Sequence, residues 1–242
     1  MQAVAKLSVL PLRVALAGDS LARGEPVLIF DAVDREGETD LVFLSERATP
    51  EMIRLQRQDA GGLICTAFSE PIRDRLGLPF QSELLEAGAG RFPILASLGQ
   101  QRLRYDRRSA FGVTVNHRTN FTGVPDNDRA ATIRALGEVA RDAPHLSDVE
   151  LRERFVHEFT SPGHVPLLYA ARDLIAERKG HTELAITLAR MAGLSESVTV
   201  CEMLGDSGGP RSPEAARRYA EQHGWVFLEG RTIVEAYLAW SG

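Results

Sequence analysis

The segment Asp34-Arg35-Glu36-Gly37-Glu38-Thr39-Asp40 follows closely on the apolar run Val27-Leu28-Ile29-Phe30 and sets three carboxylates at alternate positions. In a strand or extended loop, alternate side chains share a face, so Glu36, Glu38 and Asp40 would crowd like charge together. Neighbouring carboxylates repel unless a proton, an arginine or a metal stands among them. Arg35 is out of phase with the acids, and oxygen-rich clusters suit Mg or Mn better than Zn. These residues leave two readings open, a cation site or a solvated acidic strand edge.

Five further segments carry residues of chemical interest. Arg178-Lys179-Gly180-His181-Thr182-Glu183 stands at an expected helix start, where free amides and the helix dipole favour an anion and His181 is either a surface residue or a metal ligand. In Thr160-Ser161-Pro162-Gly163-His164-Val165-Pro166, two prolines and a glycine predict a rigid turn that holds His164 as an acid or base, or merely carries it. Glu202 interrupts the apolar run that begins at Val198, so it is either exposed by alternation or partnered in a site. Thr122-Gly123-Val124-Pro125-Asp126-Asn127-Asp128-Arg129 turns into a helix, with Thr122 and Arg129 either on a phosphate or serving the helix end alone. Cys65, in Gly61-Gly62-Leu63-Ile64-Cys65-Thr66, is read as core or as a pocket wall.

These segments need a scaffold, and the pattern supplies short apolar strands alternating with capped amphipathic helices, a mixed α and β domain. Strands are expected at 27–30, 41–44, 63–67, 112–117, 198–203 and 225–228. Helices are expected after Thr49-Pro50, after Ser147 with its capping-box partner Glu150, after Thr182 as a cap, after Ser212-Pro213, and from Thr232. The stretch from Leu84 to Arg108 lacks clear periodicity and reads as irregular or as a lid. One domain is expected over residues 1–242, since 44% hydrophobic residues suffice for a substantial core.

The net charge of −5 leaves no basic footprint and argues against nucleic acid, though Arg104, Arg107, Arg108 and Arg178-Lys179 could still take a phosphate. No apolar run approaches the roughly 18 residues of a membrane span. The start Met1-Gln2-Ala3-Val4-Ala5-Lys6 carries no signal-peptide pattern, so a cytoplasmic location is expected. Two cysteines, Cys65 and Cys201, do not make a disulfide framework.

Taken in order, these segments resemble the 3,4-dihydroxy-2-butanone 4-phosphate synthases, lyases of riboflavin biosynthesis, from about Leu16 to Leu238. The motifs are Asp-Arg-Glu with its further acids, Gly-Gly-Leu-Ile-Cys-Thr, Thr-Gly-x-x-x-Asn-Asp-Arg, Ser-Pro-Gly-His-Val, Gly-His-Thr-Glu and Cys-Glu-Met. Gly37 and Thr39 stand where the common bacterial pattern has Asn and Gly, which is similar to the archaeal-type, monofunctional form. No second half resembling GTP cyclohydrolase II is expected. The resemblance implies an α+β fold with a mixed, largely antiparallel twisted sheet flanked by helices on both sides. It also implies conversion of D-ribulose 5-phosphate to L-3,4-dihydroxy-2-butanone 4-phosphate and formate by Mg-stabilised enediolate chemistry.

For the residues, the resemblance implies Mg (or Mn), with up to two ions per site, on Glu36 and His181, and His164 and Glu202 essential for catalysis. Substrate contacts would come from Arg35, Glu36, Asp40, Cys65, Thr122, Arg129, Arg178, Lys179, Gly180, His181, Thr182 and Glu202, with Glu38 shaping the acidic loop. A homodimer with sites near the interface is implied as well.

Overall fold

The computed structural model describes residues 10–98, 106 and 108–241. Arg104, Arg107 and the segment 1–6 lie outside them. The elements run α1 (Leu12–Arg23), β1 (Val27–Phe30), β2 (Thr39–Leu44), α2 (Pro50–Asp59), β3 (Cys65–Phe68), α3 (Glu70–Leu76), α4 (Gln81–Gly88), α5 (Ile94–Leu98) and β4 (Phe111–His117). They continue with α6 (Asp126–Asp142), α7 (Asp148–Glu158), β5 (Phe159–Tyr169), α8 (His181–Met191), β6 (Ser197–Glu202), α9 (Pro213–His223), β7 (Val226–Glu229) and α10 (Gly230–Ser241).

The strands form one sheet in the order β4-β5-β3-β6-β2-β1-β7. β4–β5, β3–β6, β6–β2 and β2–β1 are antiparallel, while β3–β5 and β1–β7 are parallel. The sheet is therefore mixed and largely antiparallel, as the resemblance implies.

Strand alternation divides the core. Val27, Ile29, Val42, Leu44, Cys65, Ala67, Val198 and Val200 turn to one face, under α1, α8 and α10. Phe43, Phe68 and Cys201 turn to the other, against α2, α6 and α7, while Leu28, Phe30 and Leu41 pack with Ala216 and Ala220 of α9. Each fully buried Leu, Ile or Phe contributes roughly 1.5–3 kcal/mol, so burial on both faces, rather than local propensity, holds these short strands together. No described helix is long and apolar enough to cross a membrane.

Several helix ends follow their local chemistry. The Thr49 hydroxyl accepts from the Met52 N–H, Ser212 from Ala215, and Ser147 with Glu150 closes a reciprocal capping box. Three expectations are corrected. α8 begins at His181 with Gly180 as its N-cap, so Thr182 lies inside the first turn instead of capping it. The stretch after Leu84 is partly helical, in α4 and α5. The expected turn around His164 belongs to β5, an 11-residue strand whose prolines and glycine hid the pattern.

Candidate active site

The acidic run begins as a turn after β1, which carries Glu36 and Glu38, and ends on β2, which begins at Thr39 and carries Asp40. Asp31, at the end of β1 and only 4% exposed, organises it: Oδ2 accepts the Glu36 N–H and Oδ1 the Glu38 N–H, both at 3.1 Å. The Arg35 and Gly37 N–H groups both donate to the Ala32 carbonyl, and Gly37 supplies the left-handed φ of 69° that closes the turn. A glycine is the residue that takes this conformation without a Cβ penalty.

Asp40 falls in phase with Val42 and Leu44, and Glu202 in phase with Val198 and Val200, so both carboxylates emerge on the face beneath α8. They are direct partners in the β2–β6 register. That register supplies what alternation within one strand could not.

His181, at the start of α8 and 6% exposed, meets this pair from above. Its Nε2 lies 3.1 Å from the Glu38 carbonyl and 3.5 Å from Asp40 Oδ1, and its Nδ1 lies 3.4 Å from Glu36 Oε2. A ring that donates Nε2–H to a carbonyl leaves the Nδ1 lone pair for a cation, and here Nδ1 faces a carboxylate. Burial alone would lower the pKa of His181, but Asp40 and Glu36 outweigh it and push it up to about 10. Burial drives Asp40 up to about 8, against the pull of His181. The hydrogen bond to His181 holds Glu36 below the usual carboxylate range, while burial and then Glu202 raise Glu38.

Arg178 closes the side of the site. Its Nη1 donates to Glu183 at 2.6 Å, Nε donates to Asp106, and Nη2 stands 4.0 Å from Glu36. Glu183 is fully buried and its other oxygen accepts the Ala171 N–H at 2.9 Å. Arg35 reaches Glu36 at 3.5 Å and Asp106 at 3.8 Å. The resulting pocket of about 110 Å³ is lined by Glu36, Asp40, Arg178, His181, Thr182 and Glu202, with Phe111, Leu168 and Val200 as apolar wall.

Other expected site residues lie outside this pocket. Cys65 is buried outside the lining and paired in register with Val200, and burial raises its thiol pKa so that it stays protonated. Exposed Lys179 lines a neighbouring cavity with Val33, Arg35 and Gly230, while Gly180 is buried. His164 and Thr122 are exposed, and Arg129 pairs with Asp126 at 3.5 Å. None of these three lines the pocket. Along β5, His164 stands about 13 Å from Leu168 of the pocket wall at the usual strand rise.

His164 sits where the β4–β5 ladder breaks. Val115 pairs with Val165 but Asn116 pairs with Thr160, so residues 161–164 bulge out. Side chains of β4 satisfy the freed N–H groups, Thr114 Oγ1 taking Gly163 at 3.1 Å and Asn116 Oδ1 taking His164 at 2.8 Å.

One ligand atom each from Asp31, Glu36 and His181 lies within 4.8 Å of the others. Both Asp31 oxygens already hold the turn, which leaves Glu36 and the Nδ1 of His181 as the freer donors. Asp40 Oδ1, buried nearby, accepts no hydrogen bond among the described residues. Two carboxylates with one imidazole suit Mg or Mn. Sequence reasoning passed over Asp31, Asp106, Asn116 and Glu183. Asp31 could have been found, as a carboxylate directly ending an apolar run; Asp106 carries no local signal.

Comparison with known proteins gives one answer. The family model for 3,4-dihydroxy-2-butanone 4-phosphate synthase matches residues 16–236. The chain is 45% identical to the 3,4-dihydroxy-2-butanone 4-phosphate synthase of Methanothermobacter thermautotrophicus, over 90% of this chain and 93% of that one. It is 44% identical to the enzyme of that name from Methanosarcina mazei, over 93% and 90%. The fold is similar to that of a 3,4-dihydroxy-2-butanone 4-phosphate synthase in complex with two magnesium ions, with TM-score 0.70 and 22% identity over 90% of this chain and 93% of that one. The chain belongs to the 3,4-dihydroxy-2-butanone 4-phosphate synthase family.

Proposed function

We propose that the protein is a cytoplasmic lyase of riboflavin biosynthesis, a single domain that converts D-ribulose 5-phosphate to L-3,4-dihydroxy-2-butanone 4-phosphate and formate. The observation that carries the reading is the convergence of Glu36, Asp40, Arg178, His181 and Glu202 from separate segments on one pocket. A ketose phosphate needs its anion held, its hydroxyls oriented and its carbon-bound protons moved, and these residue types suit those tasks.

Mg2+ or Mn2+ held by Glu36 and His181, one or two ions per site, would polarise the ketone and acidify the proton on the adjacent carbon. Asp31 keeps the turn closed around Glu36 through main-chain bonds, so Glu36 is aimed before substrate arrives. Glu202 accepts and returns protons on the floor of the pocket, beside Asp40, which orients a sugar hydroxyl. Arg178 and Arg35, with the first amides of α8 around Gly180 and Thr182, hold the anionic end. Phe111, Leu168 and Val200 exclude water from one wall, with Cys65 beside Val200 on the neighbouring strand.

The active form is a homodimer in which His164, Thr122 and Arg129 of one copy complete the pocket of the other. Three observations support it: the pocket holds about 110 Å³, against roughly 300–1,000 Å³ for ordinary small-molecule sites; His164 is exposed; and next to Thr122 the apolar side chains of Phe121 and Val124 are 98% and 52% exposed.

Purified protein with Mg2+ and ribulose 5-phosphate is expected to release formate, and to stop when metal is chelated. Ribose or xylulose phosphate without formate would overturn the reading. The shared site has its own test. Inactive His164→Ala and His181→Ala proteins, mixed and allowed to exchange subunits, are expected to regain about a quarter of wild-type activity, because half the dimers are mixed and each has one intact site. No regain, with exchange verified by mass spectrometry, would put both residues in the same subunit's site.

A further inference from the structure

We propose that Asn116 is a positioning residue that holds the neutral ring of His164 as its Nε2–H tautomer, so that the edge offered to substrate carries a hydrogen-bond donor. The functional part of this inference rests on the reading that gives His164 a role in catalysis; the tautomer itself does not.

The argument starts from the amide, whose oxygen and nitrogen must be told apart by their partners. The main-chain N–H of His164 can only donate, and it points at the Asn116 side chain at 2.8 Å, so the atom there is Oδ1. The other end of the amide is then the NH2 group, and it lies 3.0 Å from His164 Nδ1. An NH2 donor requires an acceptor, so Nδ1 carries the lone pair and Nε2 carries the proton. Oδ1 is also 3.3 Å from Nδ1, close enough to receive an N–H there once the ring is fully protonated.

The amide has little freedom to turn over. A flip would set NH2 against the main-chain N–H of His164 and leave that donor without its acceptor, in a bulge where the strand ladder offers no substitute. Gly123 lies directly against the amide: a Cβ there would meet Asn116 Nδ2 at 2.3 Å and Oδ1 at 2.5 Å. Gly123 is fixed in turn, because Asp128 Oδ2 accepts its N–H at 2.8 Å and that of Thr122 at 3.3 Å. The Thr-Gly-x-x-x-Asn-Asp-Arg segment thus buttresses Asn116 in its own subunit, whatever Thr122 and Arg129 contribute across an interface.

Histidine-selective 15N labelling reads the tautomer directly, with the His164 signals assigned by their loss in His164→Gln. Spectra are taken on the full-length protein at a pH high enough to leave the ring neutral. Wild type is expected to show His164 protonated at Nε2 and bare at Nδ1. Asn116→Asp keeps an acceptor for the main-chain N–H but removes the donor, so Nδ1 is expected to become protonated while the fold is retained. Its kcat is expected to fall by about tenfold or more with KM within about threefold, less than the roughly 10²–10⁴-fold that a whole acid or base contributes because the ring is kept. Wild type protonated at Nδ1, or Asn116→Asp still bare at Nδ1, would overturn the tautomer assignment. An unchanged kcat in Asn116→Asp would overturn the positioning role. If wild type releases no formate, the proposed reaction fails while the spectra still decide the tautomer.

Discussion

His181 and Asp40 keep protons in the metal-free pocket that their unfolded counterparts give up. Asp40 is raised to about 8 and His181 to about 10, against unfolded values near 4 and 6.5. A raised folded value means that the stability carried by the proton is complete below the unfolded value and is lost as pH rises through the folded one. The metal-free protein should therefore lose stability as pH climbs from about 6 to about 9, the part of both windows open to a melting experiment. Glu36, held low, works in the opposite sense and only at acid pH. A divalent cation held by Glu36 and His181, as proposed, would displace the proton of His181 and by its charge favour loss of that of Asp40. The rise in Tm on adding Mg2+ is thus expected to be larger at pH 9 than at pH 6, with each kcal/mol showing as about 2–4 °C in a chain of this size. Equal rises at both pH values would remove His181 from the proposed cation site.

The elements aim these residues through a few close approaches, and Gly163 is one. A Cβ on it would stand 1.9 Å from the Val115 carbonyl carbon and 2.2 Å from the Asn116 nitrogen. Both are backbone atoms of β4, so nothing can rotate away. Gly163→Ala is expected to cost about 1–3 kcal/mol in urea unfolding and to lower kcat more than Gly90→Ala, a control where a Cβ meets nothing within 4 Å. A Gly163→Ala protein with wild-type stability and rate would show that the bulge is pliable. At this scale the sequence was readable where local chemistry decides: the Thr49, Ser147 and Ser212 ends, and the apolar cores of β1, β2 and β6. It was misleading where local chemistry is overruled. Two prolines and a glycine imply a turn around His164, yet pairing with β4 on either side of the bulge makes the segment part of a strand. Thr182 has the chemistry of a cap, yet Gly180 takes that place and the helix starts at His181, two residues earlier than a Thr182 cap would set it.

At the scale of the molecule, the site depends on pairings that no local period encodes. Asp40 and Glu202 are 162 positions apart in sequence and adjacent in the sheet, and Glu36 meets His181 only because α8 lies over that face. The motif order points to the family, but not to Asp31 beneath the turn, nor to the separation of His164 from the pocket within one chain. The β1–β7 pair carries the principle furthest, joining Val27 to Val226 in parallel. While the chain is being synthesised, the hairpin that bears the acids emerges early, yet its outer edge is bare until the residues of β7 have left the ribosome. Parallel pairing across such a span is slow, and an open edge in the meantime invites contact with other chains. The hairpin that bears the acids is thus among the first parts of this protein to be made and among the last to be sealed.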